Sequence, residues 1–258
     1  MSDQLVGYRE ANRAAFITLD SPQNRNALSN QLLNQLREQL DRALLSDPIR
    51  TVVLGHTGGT FCSGADLREQ AEERSRTGSS SGAGALAPIL ELLLDSPKPV
   101  VAAISGAVRG GGMGLVAASD LAVAGRSATF AFSEVRVGVA PAVIAMPVLA
   151  KMGRAAALEL FLTGRTFGAE EAQAAGLVNR VAADPELNST VAELLHQLMQ
   201  GAPGAQGEVK RLLLEVPRLE RTRAFAEMSE LSQRLFSSPE ALEGIAAFRS
   251  RRPPDWAG

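Results

Sequence analysis

The sequence predicts an α/β fold, and three observations carry that prediction. Short β-branched runs alternate with amphipathic helical stretches through the first two-thirds of the chain. The runs Thr51-Val52-Val53-Leu54 and Val100-Val101-Ala102-Ala103-Ile104 are continuously apolar and bounded by turn formers, as buried strands are. From Pro141 onward the pattern is helical, punctuated by Gly153, Gly164, Gly168, Gly176, Pro185, Pro203 and Pro239. The expected division is an α/β core over 1–195 and a helical region over 196–258. Leu198, Leu212, Leu213, Phe225, Met228, Leu231, Leu235 and Phe248 supply that second region with apolar faces suited to packing on a neighbouring subunit.

Each element has its own warrant. Ala14-Ala15-Phe16-Ile17-Thr18-Leu19 reads as a strand, broken by Asp20-Ser21-Pro22-Gln23-Asn24. Leu32, Leu36, Leu40 and Leu44 recur every fourth residue on one helical face, with Ser29 as N-cap and Asp47-Pro48 as the stop. Gly55 to Thr60 reads as a loop after the 51–54 strand. Phe61-Cys62-Ser63-Gly64-Ala65-Asp66-Leu67 is then a glycine-containing bend that opens a polar helix. Residues 74–84 are low in complexity and read as a mobile linker or a lid. Ala85 to Leu94 returns to helix. Leu121 to Ala124 and Thr129 to Phe132 read as short strands.

The central feature is Ile104-Ser105-Gly106-Ala107-Val108-Arg109-Gly110-Gly111-Gly112-Met113-Gly114-Leu115, which leads from a strand into a helix. Such a passage leaves backbone N–H groups free at a helix start, where they attract negative charge. The dinucleotide pattern G-x-G-x-x-G fails, because Leu115 stands in its last place. The P-loop fails for want of a Gly-Lys-Ser/Thr ending. Close packing of helix on strand is the competing reason for such glycines.

Composition narrows the function. The 258 residues carry 26 basic against 28 acidic side chains, which argues against a nucleic-acid-binding surface as the main role. One cysteine, Cys62, allows no intrachain disulfide, and with His56 and His196 it makes a poor metal set. No apolar run is long enough to span a bilayer and no basic-then-apolar leader opens the chain, so a cytoplasmic protein is expected.

Three segments together carry a resemblance. Phe61 to Leu67, Gly106 to Asp120 and Phe132-Ser133-Glu134-Val135-Arg136-Val137-Gly138-Val139-Ala140-Pro141 resemble, in order, the three signatures of the crotonase (enoyl-CoA hydratase/isomerase) superfamily. Asn26-Ala27-Leu28, Leu162-Thr163-Gly164, Ala172 to Val178 and Phe248 to Pro253 match in support. The resemblance implies a spiral of ββα units, with C-terminal helices that build a homotrimer or a hexamer of paired trimers. It implies an acyl-CoA thioester substrate, with CoA arriving as part of it, and no separate cofactor or metal. It places an oxyanion hole at the backbone N–H groups of Ala65 and Gly111, where an enolate oxygen would develop. It runs CoA past Arg25, Ala27, Asp66, Leu67 and Arg68, and brings Phe248 and Arg252 to the CoA of an adjacent subunit.

The same resemblance exposes a departure. Hydratases of the family generally use two glutamates; one position corresponds to Glu134, and the other is Gly114 in this chain. Glu134 follows an apolar run, a setting that raises a carboxyl pKa toward acid/base use; an ion pair with Arg136 or a capping role is the alternative. Hydration of a 2-enoyl-CoA is the leading expectation. A Δ3-Δ2-enoyl-CoA isomerase using Glu134 alone, or an acyl-CoA-binding protein without catalysis, stand as alternatives. Cys62 reads as a small buried hydrophobe, Asp120 and His196 as structural, and Asp66 as a helix-start residue. With Tyr8 and Trp256 the only Tyr and Trp, an aliphatic acyl pocket is expected, drawn from Met113, Val137, Val139, Val143, Ile144 and Met146.

Overall fold

The structure, a computed structural model, describes residues 4–78 and 84–257. Strands β1 (Val6–Ala11) and β2 (Ala14–Leu19) form a hairpin through Asn12 and Arg13, both with positive φ. The apolar run predicts β2; β1, with Gly7 and three polar or charged residues, carries no such signal. A short 3-10 turn (Pro22–Asn24) leads to α1 (Asn30–Leu45). As expected, the Ser29 side chain accepts from Leu32 N, and Leu32, Leu36 and Leu40 are fully buried.

Three ββα units then follow. The first is β3 (Thr51–His56), β4 (Thr60–Cys62) and the helices α2 (Leu67–Thr77) and α3 (Ala87–Asp95). The second is β5 (Val100–Ile104), β6 (Ala107–Arg109) and α4 (Gly111–Ala118). The third is β7 (Leu121–Gly125), β8 (Thr129–Ala131), a 3-10 turn (Ser133–Val137) and α5 (Ala142–Lys151). In each unit the first strand joins one sheet and the second strand another. The larger sheet has the order β1-β2-β3-β5-β7-β10, parallel beyond the β1-β2 pair; the smaller is β4-β6-β8-β9. Its strands β4, β6 and β8 are parallel, and β9 adds antiparallel.

After α5 come α6 (Arg154–Thr163), β9 (Phe167–Gly168), α7 (Ala169–Ala174), β10 (Arg180–Ala182) and α8 (Leu187–Met199). The last helices are α9 (Pro203–Glu215), α10 (Arg221–Phe236) and α11 (Pro239–Arg249). The strands β9 and β10 correct an all-helical reading of this half; two- and three-residue strands leave no periodic signal.

One apolar core joins α1, α3, α4 and the inner faces of both sheets; a second joins Val53, Val101 and Val123 to Leu187, Val191 and Leu194 of α8. The boundary expected at 195/196 therefore falls inside a helix that packs on the sheet. The helices that follow the core start at Pro203. The stretch 74–84, expected as a mobile linker or a lid, differs from that reading at its described ends. Arg74 to Thr77 complete α2, Gly78 caps it with φ 79°, and Gly84 opens a 3-10 turn; residues 79–83 lie outside the described residues. A run of Arg, Ser and Thr carries little intrinsic preference, so α2 continues to the first residue able to adopt a left-handed cap. No helix among the described residues is long and apolar enough to cross a membrane.

Candidate active site

The site forms where the loops after β4 and β6 meet. Gly64 (φ 94°) and Gly110 (φ 49°) face each other so closely that a Cβ on Gly110 would lie 3.2 Å from Gly64 Cα. Both φ values belong to the region that glycine alone enters without strain, and at Gly110 a Cβ would also be crowded. The contact brings the two peptide segments of the sequence prediction together: a Cβ on Gly64 would lie 3.7 Å from Gly111 N.

A third loop holds this pair. Arg25 O accepts from Ser63 N (3.1 Å), Gly64 O accepts from Leu28 N (2.8 Å), and Leu28 O accepts from Asp66 N (3.4 Å). In a parallel bridge of this kind, the residue opposite Leu28 keeps its own N–H unpaired. That residue is Ala65. Gly111, as the first residue of α4, has no upstream carbonyl to bond. Neither Ala65 N nor Gly111 N meets an acceptor among the described residues. Two unused donors at neighbouring bends, one of them at a helix N-terminus, suit an oxygen that gains negative charge.

Asn26 makes this arrangement possible, and sequence reasoning gave it no role. It is fully buried with φ 52°; its Oδ1 accepts from Ser21 N (2.7 Å), and its Nδ2 donates to Thr57 O (3.1 Å) and Thr60 O (2.7 Å). One amide thus ties the Asn26 loop to both ends of the β3–β4 turn. The available signal was an Asn beside Pro-Gln-Asn turn formers, the residue type most tolerant of left-handed backbone.

Glu134 stands on the 3-10 turn after β8, with Oε1 3.7 Å from where a Gly110 Cβ would be. Its Oε2 is buried and has no hydrogen-bond partner. Burial raises its pKa above the usual glutamate value, opposed only by a backbone hydrogen bond of its own. The alternative ion pair is not made: Arg136 Nε donates to Thr163 O at 3.4 Å. A carboxyl group with a buried, unpartnered oxygen and a raised pKa has the chemistry of a general acid or base.

Gly114 lies one turn into α4 and is packed, not open. A Cβ there would come within 2.5 Å of Ile144 Cγ2 and 3.3 Å of Leu90 Cδ1. The wall of α4 that could hold a second carboxylate is therefore filled by aliphatic side chains. The expected acyl-pocket residues divide accordingly. Met113 and Ile144 are core residues, at 0% and 2% exposure, whereas Val137 (66%), Val139 (57%) and Met146 (53%) are exposed beyond Glu134. Alternating Val residues signal a strand face or a surface turn equally, so burial could not be read from them.

The residues expected along CoA separate in the same way. Arg25, Ala27 and Asp66 to Arg68 all border the hydrogen-bonded seam between the Asn26 loop and the start of α2. Arg25 and Arg68 are exposed, as is Leu67. Asp66 caps α2, its Oδ1 accepting from Arg68 N (3.0 Å) and Glu69 N (3.2 Å). Phe248, on α11, is 85% exposed, and Arg252 makes a two-pronged pair with Glu243 (2.6 and 2.7 Å). Neither reaches the glycine bends within its own chain.

Cys62 is fully buried, accepts from Gly64 N (3.3 Å), and has its thiol pKa pushed up to about 12 by burial, so it fills space under the bend. His56 is engaged elsewhere: its Nε2 accepts from Ser105 N (3.1 Å), which leaves the proton on Nδ1 toward Thr57 O.

Residues 9–258 match the family model for enoyl-CoA hydratase/isomerase. A 2,3-dehydroadipyl-CoA hydratase of Escherichia coli (strain K12) is 30% identical over 259 residues, covering 100% of both chains. A carnitinyl-CoA dehydratase of Proteus mirabilis is 32% identical over 250 residues, covering 94% of each. The crystal structure of an enoyl-CoA hydratase/isomerase from Marinobacter aquaeolei superposes with a TM-score of 0.90 at 33% identity, over 98% of this chain and 99% of that one.

Proposed function

The chain belongs to the enoyl-CoA hydratase/isomerase (crotonase) family, and from that premise we propose that it adds water across the 2,3 double bond of a 2-enoyl-CoA. The observation that carries this reading is the Glu134 carboxyl, with Oε2 buried and unpartnered and Oε1 toward Gly110, the residue before the free N–H of Gly111.

The chemistry follows from that placement. The thioester oxygen accepts from Ala65 N and Gly111 N. Glu134 takes a proton from water as the water oxygen bonds to the β-carbon. The double-bond electrons pass through the α-carbon to the thioester oxygen, giving an enolate held by the two N–H groups. Glu134 returns its proton to the α-carbon, the C=O re-forms, and a 3-hydroxyacyl-CoA leaves. One carboxylate balances the cycle. Each oxyanion donor of this kind is worth roughly a hundred- to a thousand-fold in rate. CoA enters as part of the substrate, along the Arg25–Leu28 and Ala65–Arg68 seam, and no further cofactor is needed. Phe248 and Arg252 would reach CoA only across a subunit interface of a trimeric or hexameric assembly.

One observation favours a second reading. Because Ile144 and Leu90 fill the space at Gly114, α4 offers no room there for a second carboxylate to work with Glu134. A single base that lifts an α-proton from a 3-enoyl-CoA and returns it to the γ-carbon would make this chain an isomerase. Ultraviolet absorbance of the conjugated enoyl thioester separates the two. With crotonyl-CoA the signal falls under hydration; with a 3-enoyl-CoA it rises under isomerisation. Glu134→Gln should abolish whichever change the native protein makes. No change with either substrate would overturn both readings.

A further inference from the structure

The far end of α4 carries a half-buried charge cluster that the chemistry above does not use. Asp120 Oδ2 accepts from Val100 N (2.7 Å) at the start of β5 and pairs with Lys210 of α9 (2.7 Å). Lys210 Nζ also donates to Leu93 O (3.3 Å) and Lys98 O (3.2 Å). Lys151, the last residue of α5, donates from Nζ to Ser119 O and to Asp120 O (3.2 Å). Ser119 caps α4 in an extended conformation and Asp120 follows it, so both acceptors lie just past the helix's negative C-terminal end.

The cluster closes a frame. α4 carries Gly111 at its N-terminus. α5 follows Glu134 by a short tied segment: Val139 N donates to Glu134 O (3.1 Å), and Ala145 N to Pro141 O (3.0 Å). The two helices lie side by side with their starts together, since Ile144 packs on Gly114 near the first turns and Lys151 grips Ser119 and Asp120 at the last. Packing at one end fixes a distance. A second, polar attachment at the other end restrains how α5 slides and turns against α4, and with it where Glu134 stands relative to Gly111 N.

We propose that Lys151 is a positioning residue for the reaction, clamping α5 to the Ser119 and Asp120 carbonyls just past the end of α4 so that the Glu134 carboxylate and the oxyanion N–H groups keep one register. The inference rests on the reading of Ala65 and Gly111 as the oxyanion donors. Lysine suits the place because its ammonium supplies three donors and a charge opposite to the helix end. Burial draws its pKa down to about 8, with Asp120 opposing and the Lys210 ammonium assisting that shift. The clamp is therefore at full charge below about pH 8 and loses it above.

The test compares native protein with Lys151→Met and Lys151→Arg. A 3-ketoacyl-CoA, whose enolate absorbs in the ultraviolet, probes the oxyanion site without turnover; a saturated acyl-CoA probes plain binding. Lys151→Met should lose about tenfold or more in enolate affinity and in kcat. Its affinity for the saturated acyl-CoA should stay within about twofold of native, below the tenfold step of 1.4 kcal/mol. Lys151→Arg, which keeps charge and donors, should recover most of the enolate signal. If enolate and saturated ligand weaken together, or neither changes, the clamp has no positioning role and the inference falls. Should Lys151→Met not fold, titrating the native protein through about pH 8 decides the matter instead. Enolate selectivity should decline as the Lys151 charge is lost, and a selectivity that stays flat through that range would overturn the clamp. A native protein that binds the enolate yet neither hydrates nor isomerises would overturn the proposed reaction and leave this test standing. One that binds no enolate would overturn the inference with its premise.

Discussion

At Glu134, function and stability pull apart. Its carboxylate is partly buried with one oxygen unpaired, so its ionised form is destabilised in the fold and its pKa is raised. The folded state then binds the proton more tightly than the unfolded chain does. The stabilising proton is retained below the unfolded pKa and lost as pH rises through the folded one. Glu134→Gln should accordingly lower kcat by roughly 10²- to 10⁴-fold and leave the melting temperature at neutral pH equal to or above native. The gain should vanish in acid, which melts recorded across that range would check. Hydration should itself fall as pH drops through the raised Glu134 pKa, because the water-activating form is the carboxylate; a kcat profile with no acidic limb would contradict that role. Gly114 gives a second test. Gly114→Ala drives a methyl into Ile144 and should cost about 1–3 kcal/mol. In a double-mutant cycle read by denaturant melts, Ile144→Ala should recover most of that loss.

At the scale of elements, the turn chemistry decides more than propensity does. Ser29 caps α1 by accepting from Leu32 N at 3.2 Å, so Ser29→Ala should cost about 1 kcal/mol in thermal or urea melts, without a change in kcat. That helix was legible because a four-residue leucine spacing, a capping serine and a Pro stop all agreed. The strands β2, β3, β5 and β7 were legible for their continuous apolar runs. Those missed, β1, β4, β6, β9 and β10, are short, polar or next to glycine, and it is pairing with a neighbour that makes them strands. The site was half legible. The glycine bends and Glu134 stood out by motif, and the structure brings them together. The hold of Asn26 on the β3–β4 turn and the grip of Lys151 on the carbonyls past α4 depend on residues far apart in sequence, which no local pattern reports.

Over the whole molecule, the C-terminal residues return to the opposite end of the sheet from the site. Arg50, at the start of β3 and 5% exposed, donates to Trp256 O (2.9 Å) and Gly201 O (2.5 Å). Trp256 Nε1 donates to Gln200 O (3.1 Å), and its ring edge lies 3.0 Å from where a Gly244 Cβ would be. Trp256 is the only tryptophan in the chain, so its fluorescence reports this attachment alone. Arg50→Met should cost about 2–3 kcal/mol, the worth of hydrogen bonds from a buried charge. The Trp256 emission should shift to the red in the native-state spectrum; an unchanged spectrum would mean that Trp256 is held without Arg50. The α/β class and the order of elements were legible from alternation, whereas the end of the core was not. α8 reads like any amphipathic helix, and only Val53, Val101 and Val123 show that its partner is the sheet.

The crowding at Gly114 also sets an order on history. A chain of this kind cannot gain a carboxylate there in one step, because the newcomer meets Ile144 before it meets substrate. The neighbour must shrink first, by a change that brings no benefit on its own and leaves a hole in the core. Descent from a two-glutamate ancestor is therefore easier than return to one. A laboratory lineage selected for a second acid at this position should be seen to pass through Ile144, or to settle the acid on another wall of the site.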